Sequence, residues 1–530
     1  MERLKGIESL YLHLETGSMP MHLSSVTIYD PRTAPGGRVE FADIQRFFGE
    51  RAYRSAIFRR RLAELPLGLA RPYWIEDAGF DIEYHLRRIA LPKPGGWREL
   101  CDQVARLHAR PLDRSRPLWE CYVIEELDRI PGLPRGSFAL SLKTHYAALG
   151  GTLGTQLFAA IHELSPDSRA SAPKRARFFF DRFPTVSDLA LRSVVDVARA
   201  PLGLARYVVA HAKPLLMFGG EQVGNFAGSV LRLGRRAEDG EQAASPVPRT
   251  RFNGRVSPHR VVDGVRFELA DVERIRDTVP GGTVNDVALT VISGALRKYL
   301  EGRLEVPAGP IVVEAPLASR SETRVFGTRS FADSAFMPIA SDIEDPAERL
   351  RHVVAETRSQ NTQFQALLGR RLLLDAMEFV PEALLGLGGE LGQRMRLGSR
   401  FAPIANTTIE SVRGPDVPLY MAGARLVGYY GLNAVHDVAG LGHIVAYYDG
   451  AMTIGVTACR TMLPDPARYA QCLREAMDEL GRAVGVLPRA PRAPAPGVVV
   501  EGSQRKRRSR AAPADRARPR PGVARRSSTG

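Results

Sequence analysis

No single hydrophobic core can hold this chain. Its 530 residues exceed the roughly 250–300 at which one core stops growing, so two large domains with appended segments are expected. The apolar patterning agrees, falling into a first set over 1–185 and a second over 250–488. Segment 186–249 separates them and 489–530 follows as a tail. Both sets mix the two periodicities and read as α/β. In the first, Phe138, Leu140 and Leu142 alternate and share one face of a strand. In the second, Thr283 stands three residues before Asp286, an approximate capping box. Val287, Val291, Ala295 and Tyr299 continue at helical spacing, joined by Ile292, Leu296 and Leu300. Further on, apolar runs 443–448 and 452–456 flank Asp449-Gly450, a dipeptide suited to a type I′ hairpin turn. A closing helix is expected from about Pro466 to Val484.

Charge narrows the partners. The net +15 is mostly a tail property, because residues 491–530 hold eleven Lys or Arg against Glu501 and Asp515. That tail is rich in Pro, Ala, Arg and Ser, cannot bury enough apolar surface to offset ordering, and is expected to be disordered. It reads either as an electrostatic tether to an anionic surface or as a solvated tail with no specific partner. Nucleic-acid binding would rest on charge alone and is not expected. Segment 186–249 is apolar and basic, with no acid between Asp196 and Glu221. Two readings stay open for it: an interfacial helix touching lipid, or a crossover helix packed on the body. No run approaches the ~18 apolar residues of a membrane span, and the first residues lack a secretory signal. A cytoplasmic protein is expected, associated peripherally with the inner membrane face or lipid inclusions. Cys101, Cys121, Cys459 and Cys472 show no metal-ligand spacing and read as free buried thiols, so no metal is expected.

The most diagnostic stretch is Lys143-Thr144-His145-Tyr146-Ala147-Ala148-Leu149-Gly150-Gly151, a strand that delivers a histidine to its end ahead of a small-residue loop. It resembles the His-His-x-x-x-Asp-Gly motif of wax ester synthase/diacylglycerol acyltransferases and of peptide-synthetase condensation domains. His145 stands at the first His, Tyr146 at the second, Gly150 at the Asp and Gly151 at the Gly. The second His is the general base in such enzymes, a role suited to a group titrating near working pH. Tyrosine, with an ordinary pKa near 10, does not replace it directly.

Other blocks carry the resemblance across about residues 5–485. Met21-His22 looks like the family's first strand. Pro111-Leu112-Asp113-Arg114-Ser115-Arg116-Pro117-Leu118-Trp119-Glu120 is similar to its Pro-Leu-Asp-x-x-x-Pro-Leu-Trp-Glu block. Asn285-Asp286 followed by Gly294-Ala295-Leu296-Arg297 resembles its Asn-Asp helix, and Pro316-Leu317-Ala318-Ser319-Arg320 its Pro-Val-Ser-x-Arg segment. Gly414-Pro415 through Ala424 is similar to the block opening Asn-Val-Pro-Gly-Pro, with Ser411 and Arg413 replacing Asn and Pro.

The resemblance implies two chloramphenicol-acetyltransferase-like, condensation-domain-like sandwich domains with a crossover linker and a tunnel between them. Acyl-CoA would enter as co-substrate from one side, and diacylglycerol or a long-chain alcohol from the other, with no bound cofactor. Transfer would be direct, since no Gly-x-Ser-x-Gly elbow supplies a nucleophile. The implied site comprises His145 and Tyr146 as catalytic positions, Gly150 and Gly151 as orienting ones, and Trp119, Asn285, Asp286 and Arg320 near substrate. Each has a structural reading beside it: Trp119 as a core residue, Asn285 and Asp286 as helix-start residues, Arg320 as partner of an acid rather than of CoA phosphate. His436-Asp437 resembles a catalytic dyad. With Tyr146 in the base position, two functional expectations stand: a weak O-acyltransferase, or an inactive paralogue that binds acyl-CoA or lipid or regulates an active relative.

Overall fold

A computed structural model describes residues 2–52, 56–64, 70–149, 153–167, 186–210, 247–316, 334–359, 375–394 and 403–487. Gly150, Gly151, Arg320 and the basic tail lie outside the described residues. Two six-stranded mixed sheets dominate the rest. The first runs, edge to edge, Tyr420–Met421 (β12), Ala424–Leu432 (β13), His22–Asp30 (β2), Phe138–His145 (β7), Trp119–Glu125 (β6) and Leu86–Ala90 (β5). The second runs Ser334–Pro338 (β10), Val312–Pro316 (β9), Thr407–Arg413 (β11), Leu441–Tyr448 (β14), Ala451–Cys459 (β15) and Arg260–Glu268 (β8). Glu2–Arg3 (β1), Arg60–Ala63 (β3) and Tyr73–Glu76 (β4) form a small third sheet. Parallel pairing occurs between β5 and β6 and on both sides of β11.

Local sequence rules account for the elements that carry the site. Along β7, Phe138, Leu140 and Leu142 enter one apolar cluster with Trp119, as their alternation predicts. The helix Val284–Glu301 starts on the capping box: the Thr283 hydroxyl accepts from Asp286 N, and the Asp286 carboxylate accepts from Thr283 N at 2.8 Å. Its apolar stripe packs with the helix Pro466–Ala483 and the second sheet in one buried cluster. Tyr448 and Ala451 close the β14–β15 hairpin, with Asp449 and Gly450 both at positive φ, as a type I′ turn requires. All four cysteines are buried free thiols.

The chain also makes an exchange that its patterning does not announce. After β11 it leaves the second sheet, pairs antiparallel to β2 as β13, and returns as β14. Residues 420–432, inside the second set by sequence order, thus belong to the first sheet. Where β13 passes over the second sheet the backbones nearly touch: a Cβ on Gly455 would sit 2.1 Å from the Gly431 carbonyl oxygen. Only glycine permits that approach, and overpacking of this kind typically costs about 1–3 kcal/mol. Gly455→Ala should therefore lower the midpoint of chemical unfolding by a corresponding amount, whereas Gly309→Ala, where the added Cβ meets nothing, should leave it near wild type. Equal midpoints for the two variants would contradict the close crossing.

Candidate active site

Strand β7 ends at His145 and the chain turns at once into a short 3-10 segment, Tyr146–Leu149. The two motif side chains therefore meet different surroundings. His145 is wholly buried. Its Nδ1 accepts from Ala147 N at 3.0 Å, which in a neutral imidazole leaves the proton on Nε2. That Nε2 faces Glu15 Oε2 at 3.6 Å, just beyond hydrogen-bond length. Burial holds the ring below its ordinary pKa, although Glu15 works against it. Burial would raise the Glu15 carboxyl, but His145 and Arg114 outweigh it and hold it at about 2. Arg114 itself donates to Glu15 Oε2 from Nε at 3.0 Å and from Nη2 at 2.7 Å. His145 is thus a neutral ring with one nitrogen accepting from the backbone and the other bearing the proton. It orients; it is not poised to take a proton.

Tyr146 reaches the opposite partner set. Its ring stacks on Tyr11, from the helix Gly6–Leu14, with centroids 5.2 Å apart. Its hydroxyl donates to Glu410 Oε1 at 3.2 Å. Burial first, then the Glu410 charge, pushes the phenol well above its ordinary pKa, so it remains a donor at neutral pH.

Glu410 lies on β11 of the second sheet, in register with Ile444 of β14. Desolvation, joined by the charge of the neighbouring Glu314, raises its pKa to about 7 against the opposing pull of the Tyr146 hydroxyl and the Asn433 amide. Asn433 follows directly on β13 and donates to Thr408 Oγ1 at 2.9 Å, and its Oδ1 is buried without a hydrogen-bond partner. Its side chain has room because position 442 is glycine, where a Cβ would stand 2.5 Å from the Asn433 amide atoms. The Asn433 carbonyl oxygen lies 3.2 Å from His108 Nε2 of the first half. The cluster Tyr11, Tyr146, Glu410, Asn433 and Glu314 thus draws on both sheets and on the N-terminal helix.

Among the described residues, the other positions named from sequence make the following contacts. Trp119 is fully buried, its indole N–H donates to Phe58 O at 3.0 Å, and its ring stacks on His85. It packs the first core. Asp286 spends its carboxylate on Thr283 and on the Thr357 hydroxyl at 2.8 Å, so it anchors a helix start. The Asn285 Oδ1 beside it is buried without a hydrogen-bond partner. Asp437 accepts from Val256 N at 2.9 Å and shapes a turn. His436 is held below its ordinary pKa by burial against the pull of Glu314 and Asp437. Glu410, Asn433 and Tyr11 escaped the sequence reading. A lone acid amid the β-branched residues of 407–412 is the signal that could have drawn attention to Glu410.

The two-sheet fold with a motif histidine at a strand end is the architecture of a two-domain acyltransferase. Residues 4–288 match the wax ester synthase/diacylglycerol acyltransferase catalytic domain and residues 332–481 the WS/DGAT C-terminal domain. A Mycobacterium tuberculosis protein named as a diacylglycerol O-acyltransferase is 31% identical over 482 residues, spanning 91% of this chain and 90% of its own. The diacylglycerol O-acyltransferase tgs2 of the same organism is 29% identical, spanning 92% of this chain and 100% of its own. The solved wax ester synthase/diacylglycerol acyltransferase from Marinobacter aquaeolei VT8 shares the fold, with a TM-score of 0.60 at 24% identity over 91% of this chain and 100% of that one. The chain belongs to the wax ester synthase/diacylglycerol acyltransferase family.

The raised Glu410 pKa has a consequence for stability. A carboxyl near 4.5 when unfolded and about 7 when folded binds more protons in the folded state between those values, so its contribution to stability is lost as pH rises through that window. Glu410→Gln should therefore stabilise the fold at pH 8 by about 1–3 kcal/mol, an upper range for a partly solvated group, and by much less at pH 5. Urea unfolding of both proteins at the two pH values measures this. A variant no more stable than wild type at pH 8 would place Glu410 in a solvated setting.

Proposed function

We propose that this protein is an acyl-CoA-dependent O-acyltransferase that joins a long-chain acyl group to diacylglycerol or a long-chain alcohol. The observation that carries the reading is the placement of the motif residues. His145 ends a central strand, and Tyr146, opening the segment that follows, faces a polar cluster supplied jointly by both sheets. A site able to hold two substrates brought from opposite sides needs such a seam, and direct transfer draws its rate largely from positioning them. The reaction then requires one proton acceptor for the attacking hydroxyl. An inactive lipid-binding paralogue is the weaker reading, because the cluster keeps a carboxylate that can serve.

Acceptors of this class are delivered from lipid, and the surface offers a means. Among the described residues no helix is long and apolar enough to cross a membrane. The helix Glu382–Arg394 docks on Gly6–Leu14 through hydrogen bonds of Ser9 and His13 to Glu382. It turns Leu384 and Leu387 outward, 58% and 62% exposed. The helix Val186–Ala210 rests Tyr207 on Phe379 and leaves Val194, Leu202 and Val209 exposed. These residues suit shallow insertion into a lipid surface one helix removed from Tyr11. The basic segment 491–530 would add attraction to anionic headgroups.

Purified protein given radiolabelled palmitoyl-CoA should yield labelled ester with dioleoylglycerol, hexadecanol or both. Absence of product with either acceptor, in the presence of vesicles, would overturn the enzyme reading. Leu384→Ser with Leu387→Ser should weaken sedimentation with anionic vesicles, and deletion of 491–530 should weaken it further without moving the thermal midpoint. Unchanged sedimentation in both would rule out lipid docking through these segments.

A further inference from the structure

We propose that Glu410, carried on β11 of the second sheet, is the general base that takes the acceptor hydroxyl proton at the position where the motif lacks its second histidine. The proposal rests on the acyl-transfer reading above and deepens it. Its ground is geometric. The residue in the base position, Tyr146, extends to a carboxylate oxygen 3.2 Å from its hydroxyl, and that carboxylate lies half-buried between the two sheets.

Two nearer candidates are excluded by their own contacts. The Tyr146 phenol is held protonated and donates. The His145 ring has its Nδ1 lone pair engaged by Ala147 N–H and turns its Nε2 proton toward Glu15. Glu410 has what both lack, an acceptor oxygen whose affinity for a proton has moved close to working pH, where general-base efficiency is greatest. Tyr146 is a positioning residue: its hydroxyl donates to the carboxylate and favours its ionised form, and the Asn433 amide, which donates to Thr408 Oγ1, acts in the same direction.

The step balances without any further reactant. As the acceptor oxygen attacks the thioester carbonyl carbon, its proton passes to Glu410. The tetrahedral adduct then collapses, the C–S bond breaks with its electron pair on sulfur, and the Glu410 proton moves to that sulfur, releasing CoA thiol and ester. Glu410 ends as it began.

The titratable groups facing Glu410 are Tyr146 from the motif, Tyr429 from β13 and Glu314 from β9, which in turn faces His436. Since the base must be ionised, kcat/KM should rise with pH and level off through an inflection near 7. Glu410→Gln should lower kcat by roughly 10²–10⁴ and flatten that profile, with KM for palmitoyl-CoA within a few-fold of wild type. Tyr146→Phe removes one donor to the anion and should move the inflection up by about one unit, a shift a merely structural contact would not produce. Glu410→Asp, which keeps a carboxylate, should retain a pH inflection. Circular dichroism of each variant confirms the fold. Glu410→Gln at wild-type kcat with the inflection intact overturns the base assignment and leaves acyl transfer standing. His145→Gln abolishing the inflection while Glu410→Gln does not would likewise overturn that assignment and move the base to His145. Wild-type protein that forms no ester with any acceptor overturns the acyl-transfer reading itself.

Discussion

The structure depends on the passage of one strand out of its own sheet. By crossing from β11 to β13 and back to β14, the chain ties the two sheets together through backbone hydrogen bonds, so the seam between them is fixed by pairing register and not by side-chain packing alone. The close approach of Gly431 and Gly455 sets how tightly the sheets cross. The same passage delivers two site residues, since Glu410 lies on the strand that departs and Asn433 at the end of the strand exchanged.

Around that seam the protein sets two carboxyls apart by environment. Glu15, bound by Arg114 and beside His145, is held at about 2 and remains a fixed negative charge. Glu410, partly desolvated and near Glu314, sits at about 7 and can exchange a proton under ordinary conditions. They flank consecutive motif residues. One carboxylate supports a neutral orienting histidine and the other meets a phenol that only donates. Carboxyls driven apart in this way are a recurring sign of divided acid–base roles. Burying Glu410 also weakens the fold above neutral pH, a cost that a purely structural side chain would have no reason to carry.

Much of the frame was legible in the sequence because local rules decide it. Alternation identified β7, the Thr283–Asp286 box opened a helix, and Asp449-Gly450 closed a hairpin, each with a mechanism acting within a few residues. The resemblance placed His145 and Tyr146 at the motif, and the contacts then separated them into an orienting ring and a donor. The exchange of 424–432 was not legible, since an alternating strand looks the same whichever sheet accepts it. Glu410 acquires meaning only once the second sheet brings it to Tyr146, and Tyr11 only once its helix stacks on the same ring. Trp119 and Asp286 show the converse: residues prominent in sequence blocks, engaged in packing and in capping.

The central claim is that acyl transfer in this chain runs on a carboxylate from the second sheet. A crystal structure with a non-hydrolysable thioether analogue of palmitoyl-CoA and hexadecanol tests it most directly. With Glu410 as the base, the alcohol oxygen should lie within about 2.6–3.2 Å of a Glu410 carboxylate oxygen, with Tyr146 still donating to that group. An alcohol oxygen on His145 Nε2 instead, with Glu410 out of reach of both substrates, would contradict it.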